Sequence, residues 1–304
     1  MLHREYNTAG KRLALAGGKP AGLRWSGLSK RENVMKKSFV VTAVTAALFT
    51  VQAGAETTSA TTSTATAPKS IRENISLNLG MLYHGPSLGH MTSSLQPDAE
   101  GKLDGAQLFE SALTAAYKLD SLTKVSVAAL FNYQPVMGQQ VEFFNPYVKL
   151  SRNKIIDANG LTFNGGVRLY APMTSKTRAQ SFLTAVRFDE SLGFQPVGSR
   201  WSAGIDGNIR AKFYNTDAAY ATIDFWVGPH VDYQLNDKTS FAFSTDLVGQ
   251  LARDVYSPDP YDLNAGVSYQ ILPNLNLNPS LTVRPTNLTL NSTQMNVFIS
   301  ADLL

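Results

Sequence analysis

From residue 72 to the end of the chain, apolar side chains recur at every second position, the period of a strand and not of a helix. Ile75, Leu77, Leu79, Met81 and Tyr83 form one series, with Asn74, Ser76, Asn78 and Gly80 between them. Val125 to Tyr133, Trp201 to Phe213, Ile223 to Tyr233 and Met295 to Leu303 repeat the pattern, and no amphipathic helix interrupts it. Twelve such segments can be counted, near 73–83, 108–119, 123–133, 141–151, 160–171, 181–194, 200–214, 219–233, 239–251, 260–271, 275–284 and 293–304. Most are long enough for the roughly 9–11 residues that cross a bilayer at a tilt. An even number lets both ends of the sheet lie on one side. The expected fold is all-β: a transmembrane antiparallel up-and-down β-barrel of twelve strands over residues 72–304.

The connections alternate in kind as well. Tight links at Asp120–Leu122, Pro196–Ser199, Leu235–Lys238 and Pro273–Asn274 contrast with longer ones, led by residues 84–107. Residues 152–159 look long for a turn, and 215–218 short for a loop. Tyrosine precedes three of the tight links, in Tyr117-Lys118-Leu119-Asp120, Tyr233-Gln234-Leu235-Asn236 and Tyr269-Gln270-Ile271-Leu272, as suits a ring at a membrane interface. Three features place the apolar series on the outside, against lipid. Twelve strands enclose a hole too wide for an apolar core to fill. Aromatics of the apolar series gather near strand ends. The middles of those series are nearly free of charge. Glu190 breaks that rule, in register with Val186 and Phe188. A bulge or a shifted register in that strand is the expected explanation.

Composition sharpens the reading once the chain is divided. Its net charge of +4 separates into +7 over residues 1–55 and −3 over the remainder, so the basic excess belongs to the leader and does not imply nucleic acid. There is no cysteine, which excludes disulfides and thiolate chemistry. Met35-Lys36-Lys37, the apolar run Phe39 to Val51 and Ala53-Gly54-Ala55 make a secretory signal over 35–55, cleaved before Glu56. Export signals begin with their basic region, so residues 1–34 are expected to be a non-native upstream extension and Met35 the initiator. Residues 56–71, rich in Thr, Ser and Ala, read as a flexible periplasmic tail.

Leader, tail, alternating strands and turn pattern together resemble the bacterial outer-membrane β-barrel superfamily over essentially all of residues 72–304. The resemblance implies a Gram-negative outer membrane, periplasmic termini and loops outside. It implies as partners outer-membrane lipid, lipopolysaccharide and the barrel-assembly machinery. Members usually end in an aromatic that this machinery reads; here the chain ends Ala301-Asp302-Leu303-Leu304.

The polar series should line the lumen, and it has two unlike walls. Strands five to nine supply Arg168, Arg187, Asp189, Asp206, Arg210, Lys212, Asp224 and Asp246, whereas strands ten to twelve and one supply chiefly Asn, Ser and Thr. Arg168, Arg187, Arg210 and Asp224 fall at similar depth. The eight form either a charged stripe that sets ion preference in a porin-like channel for small polar or ionic solutes, or a fully paired brace. A non-conducting structural or adhesin-type barrel is the alternative, and a lipid or peptide hydrolase the less favoured one. No serine and histidine share the lipid series near one strand end, while Asp254, Asp259 and Asp262 cluster in a loop as candidate protease acids. His84 and His90, six residues apart in the first loop, make a poor metal pair, and His230 reads as a lumen residue. No cofactor is expected.

Overall fold

The computed structural model describes residues 71–304 apart from 99–100, 137, 216–221, 253–254 and 259–260. The upstream extension, the signal segment and all but the last residue of the Thr/Ser/Ala-rich segment lie outside these residues.

Twelve strands form the wall. They are β1 (Ile75–Ser87), β2 (Leu108–Lys118), β3 (Thr123–Gln134), β4 (Tyr147–Ala158), β5 (Leu161–Tyr170), β6 (Phe182–Phe194), β7 (Trp201–Tyr214), β8 (Ile223–Asn236), β9 (Thr239–Ala252), β10 (Asp262–Leu272), β11 (Leu275–Val283) and β12 (Gln294–Asp302). Each pairs antiparallel with the next, and β12 pairs with β1 from Asp302 opposite Asn78 to Gln294 opposite Ser87, so the sheet closes on itself. Closure leaves the wall no edge, which matters because unpaired backbone groups are costly in hydrocarbon. The expected barrel and its strand number are those observed.

One rim carries tight links, at 119–122, 159–160, 195–200, 237–238 and 273–274, together with both ends of the sheet. The opposite rim carries the longer ones, at 88–107, 135–146, 171–181, 215–222, 253–261 and 284–293. One apparent irregularity of the sequence, the long link at 152–159, disappears, whereas 216–218 lies outside the described residues. Residues 152–158 continue β4 through a bulge between Arg152 and Ile156, with Lys154 at φ 51°. A two-residue turn then closes at Asn159 and Gly160, both at positive φ (53° and 82°), as a type I′ hairpin requires. A Cβ at Gly160 would also lie 2.2 Å from the Gln195 carbonyl oxygen. At the other rim, β1 runs on to Ser87, so His84 belongs to the wall and not to the first loop.

Alternation sorts the faces as expected. Val127, Ile205, Ile209 and Phe243 stand exposed on the outside, while Ser126, Arg168, Arg187, Thr282 and Asn296 are buried on the inside. An exposed apolar surface of this extent is a lipid surface. Rings bound it at each rim: Trp201 packs on Tyr233 (centroids 4.7 Å apart) at the turn rim, and Tyr83, Phe109 and Tyr133 form a row at the loop rim. The inner face is not polar throughout. Leu82, Ala112, Ala128 and Leu130 are buried on β1–β3, and residues 140–143 extend the sheet beside β3, with the Phe144 amide donating to the Leu130 carbonyl (2.9 Å).

The expected explanation of Glu190 is overturned. Pairing of β6 with β5 and β7 is continuous from Phe194 past Glu190, and the one register shift lies near its start, between the partners of Phe213 and Tyr214. Glu190 therefore projects outward, between Gly165 on one neighbouring strand and Gly207 on the other.

Candidate functional site: the charged wall of the lumen

The wall's register assembles the charged residues. Lys149 on β4 lies opposite Arg168 on β5, Arg168 opposite Arg187 on β6, Arg187 opposite Arg210 on β7, and Arg210 opposite Asp224 on β8. Four cations thus stand side by side in one hydrogen-bonded row on the inner face, at a strand spacing of about 4.8 Å. Like charges placed directly opposite destabilise a sheet. Two carboxylates offset this. Asp189, one inward position nearer the turn rim, holds Lys149 Nζ (2.9 Å), Arg168 Nε (2.6 Å) and Arg187 Nε (2.7 Å). Asp224 holds Arg210 Nη2 (2.6 Å) and Lys212 Nζ (2.8 Å). Aromatic faces help as well, since the Arg168 guanidinium lies 4.6 Å from the Tyr147 ring centre and that of Arg210 5.8 Å from Tyr170. Among the described residues, five cations and two carboxylates make this cluster formally +3.

Six of the eight residues singled out in the sequence therefore form the cluster: Arg168, Arg187, Asp189, Arg210, Lys212 and Asp224. Asp206 and Asp246 do not. Asp206 lies nearer the turn rim, where its Oδ2 is 3.5 Å from His230 Nδ1, with Asp232 on the other side of that ring at 3.8 Å. Asp246 is 2% exposed and belongs to a hydrogen-bonded belt. It accepts from Trp226 Nε1 (2.7 Å) and Asn264 Nδ2 (2.8 Å). Thr282 donates to Asn264 Oδ1 (2.6 Å), and Asn296 donates to Thr282 (2.8 Å). That belt ties β8 to β12 across the unlike wall. Lys149, Tyr147 and Tyr170 were missed from the sequence. Lys149 sits on the inward series of β4 with Tyr147 and Ser151, and a stripe begun at the fifth strand left it out.

At the loop rim, the first loop folds back as a short hairpin of Leu95–Pro97 with Leu103–Ala106. Arg284 pairs with Asp262 (Nε to Oδ1, 3.5 Å) and donates to the Asp98 carbonyl, while Gln294 donates to Gln96 (3.2 Å). Asp262, a candidate protease acid, is thus an inward residue held by an arginine; Asp254 and Asp259 lie outside the described residues. His84 meets Glu110 on the inner face (3.4 Å) instead of facing His90. Among the described residues no group of three or more His, Asp or Glu is placed to hold a metal. At the turn rim a polar cavity of about 300 Å3 opens between Arg200, Asp232, Gln234, Ser268 and Gln270.

No family model and no curated protein sequence matches the chain. Solved structures do. An outer membrane channel from Pseudomonas putida F1 superposes over 81% of this chain and all of its own, with a TM-score of 0.52 at 11% identity. A NanC porin (75% of this chain and all of its own, TM-score 0.46, 13% identity) and a KdgM porin solved with oligogalacturonate (74% and 98%, 0.44, 10%) are more distant. The described residues share the closed antiparallel β-barrel fold of the Pseudomonas putida channel.

Proposed function

We propose that the protein is a passive channel of the bacterial outer membrane that favours anionic solutes, with the basic row on β4–β7 as its selectivity element. The carrying observation is that row: four cations in adjacent register, in a cluster with a formal surplus of three positive charges. Like charges brought this close are a cost to the fold, and a passing anion would relieve it. Low-dielectric walls would concentrate the resulting field in the lumen. In this reading the turn rim faces the periplasm, the loop rim faces outward, and export and assembly proceed through the signal segment and the barrel-assembly machinery. Lipopolysaccharide surrounds the loop rim.

The test is a planar-bilayer recording under a salt gradient. Wild type should open in steps and reverse on the anion-selective side. Arg187→Ala and Arg210→Ala should each move the reversal potential toward the cation side. A conducting wild type whose selectivity and conductance neither change alters would remove the row from the selectivity role. A second reading, a non-conducting structural barrel, draws on the belt from Trp226 to Asn296, which braces five strands. Folded protein that stays silent in the bilayer would favour it.

A further inference from the structure

Setting aside the bulge at 153–155, the outward face of the twelve strands carries two charged side chains among the described residues, Arg152 on β4 and Glu190 on β6. They have opposite signs and share one hydrogen-bonded row. Arg152 lies opposite Gly165, Gly165 opposite Glu190, and Glu190 opposite Gly207. The charges are two strand spacings, roughly 10 Å, apart. Glu190 is exposed between Phe188 and Leu192 and has no hydrogen bond or ion pair among the described residues. Its partner Gly207 is the seventh of the fourteen residues of β7, so the carboxylate stands near half-height, too deep for a glutamate to reach either interface. Arg152, nearer the turn rim, makes one long hydrogen bond, Nη1 to Thr123 Oγ1 at 3.5 Å, and its charge also favours the Asp120 carboxylate in the adjoining turn. Ile155 fills the space over Gly165, where its Cδ1 would be 3.1 Å from an added Cβ. The outside of Gly207 is open, with nothing closer than a carbonyl oxygen at 3.5 Å.

Lipid tails offer a buried carboxylate no donor, and Ile155 stands between Glu190 and the arginine of its own chain. We propose that the β4–β7 wall is the contact between two copies of this chain, in which Arg152 of each copy pairs with Glu190 of the other. A two-fold axis along the membrane normal, close to Gly165, produces both pairs at once, as an isologous contact must. Strand tilt sets Glu190 somewhat higher than Arg152, and the long arginine stem spans the offset. The Ile155 knobs and the open notch at Gly207 then supply apolar contact around the two ion pairs. The inference rests on the barrel's lying in a membrane and not on its conducting.

The experiment counts copies of labelled full-length protein in lipid nanodiscs by photobleaching steps, with heat-dependent gel mobility reporting folding. Wild type should show pairs. Glu190→Arg and Arg152→Glu should each lower the fraction of pairs at least tenfold, because each variant alone presents like charges. Mixed in equal parts, the two should form pairs again, each containing one of each variant, since both contacts then join opposite charges. Rescue in the mixture cannot arise from a bridge within one chain. A single-copy wild type, variants that still pair, or a mixture that stays single would each overturn the proposal. Should either charge reversal fail to fold, Glu190→Gln and Arg152→Gln take its place. Fewer pairs in both supports the contact, and an unchanged fraction overturns it.

Discussion

The two walls of the lumen solve the same problem with different chemistry. Each must hold polar side chains inside a sheet whose outside is lipid. The β9–β12 wall does it with short groups: Asp246, Asn264, Thr282 and Asn296 join in sequence, each bonded to a neighbour across a strand. Such a belt spends most of its polar atoms on its own neighbours, with the Asn296 Oδ1 acceptor left over among the described residues. The β4–β8 wall uses long cations in direct cross-strand opposition and holds them with Asp189 and Asp224. Among the described residues, two carboxylates hold five cations there. A barrel needs the first kind of wall to be stable; the second kind is the one on which the proposed anion path rests.

The sharpest way to break this contrast is Asp189→Ala. It leaves Lys149, Arg168 and Arg187 without their shared carboxylate, and loss of a buried charge partner costs about 3–5 kcal/mol. Urea unfolding in lipid vesicles should show it, with stronger anion selectivity in whatever protein still folds. A loss below about 1 kcal/mol would mean that the cluster is solvated and that its electrostatics are weak.

A new arginine probes the faces themselves. At outward Val227 it should cost about 2–4 kcal/mol. At inward Ser268, beside the cavity at the turn rim, the cost should be mild and the channel more anion-selective. Equal penalties in the same titration would mean that the faces are indistinct.

Asp246→Ala should cost about 1–3 kcal/mol, because it strands the Trp226 and Asn264 donors. Selectivity should not change. A shifted reversal potential would move Asp246 from the brace to the ion path.

The smallest effect belongs to Asp120, exposed in a turn outside both walls. The Leu122 amide, and after it the Thr123 hydroxyl and amide, hold its carboxyl below the usual range. A carboxylate lowered by folding adds stability above its unfolded value of about 3.9, and that stability is lost as pH falls through the folded value. Asp120→Asn should flatten this part of the acid limb and leave neutral-pH behaviour nearly unchanged. An unaltered acid limb would show that the turn bonds do not persist in solution.

Barrel, strand number and facing were legible in the sequence because each depends on one period. A two-residue alternation shows which side chains share a face without any knowledge of the neighbouring strand. The Asn159-Gly160 turn was legible in principle too, but Ile155 and Ile156 on either side of no clear alternation hid the bulge before it. The eight charged residues were gathered by face and approximate depth. Depth alone could not separate Asp246, in a belt, or Asp206, beside His230, from the row. Lys149 was omitted for another reason: the stripe was begun one strand later, at Arg168 on β5.

The alternating chain by itself determined a closed β-barrel with a polar inside, an apolar outside and charge concentrated on one wall. Backbone period is a local property, carried by each strand alone. Only the tertiary structure decided that Lys149, Arg168, Arg187 and Arg210 stand shoulder to shoulder, that Asp246 is a brace, and that Glu190 faces outward between two glycines. Those facts are matters of register between strands, set by turns, bulges and closure, and a shift of two residues preserves every face while changing every neighbour.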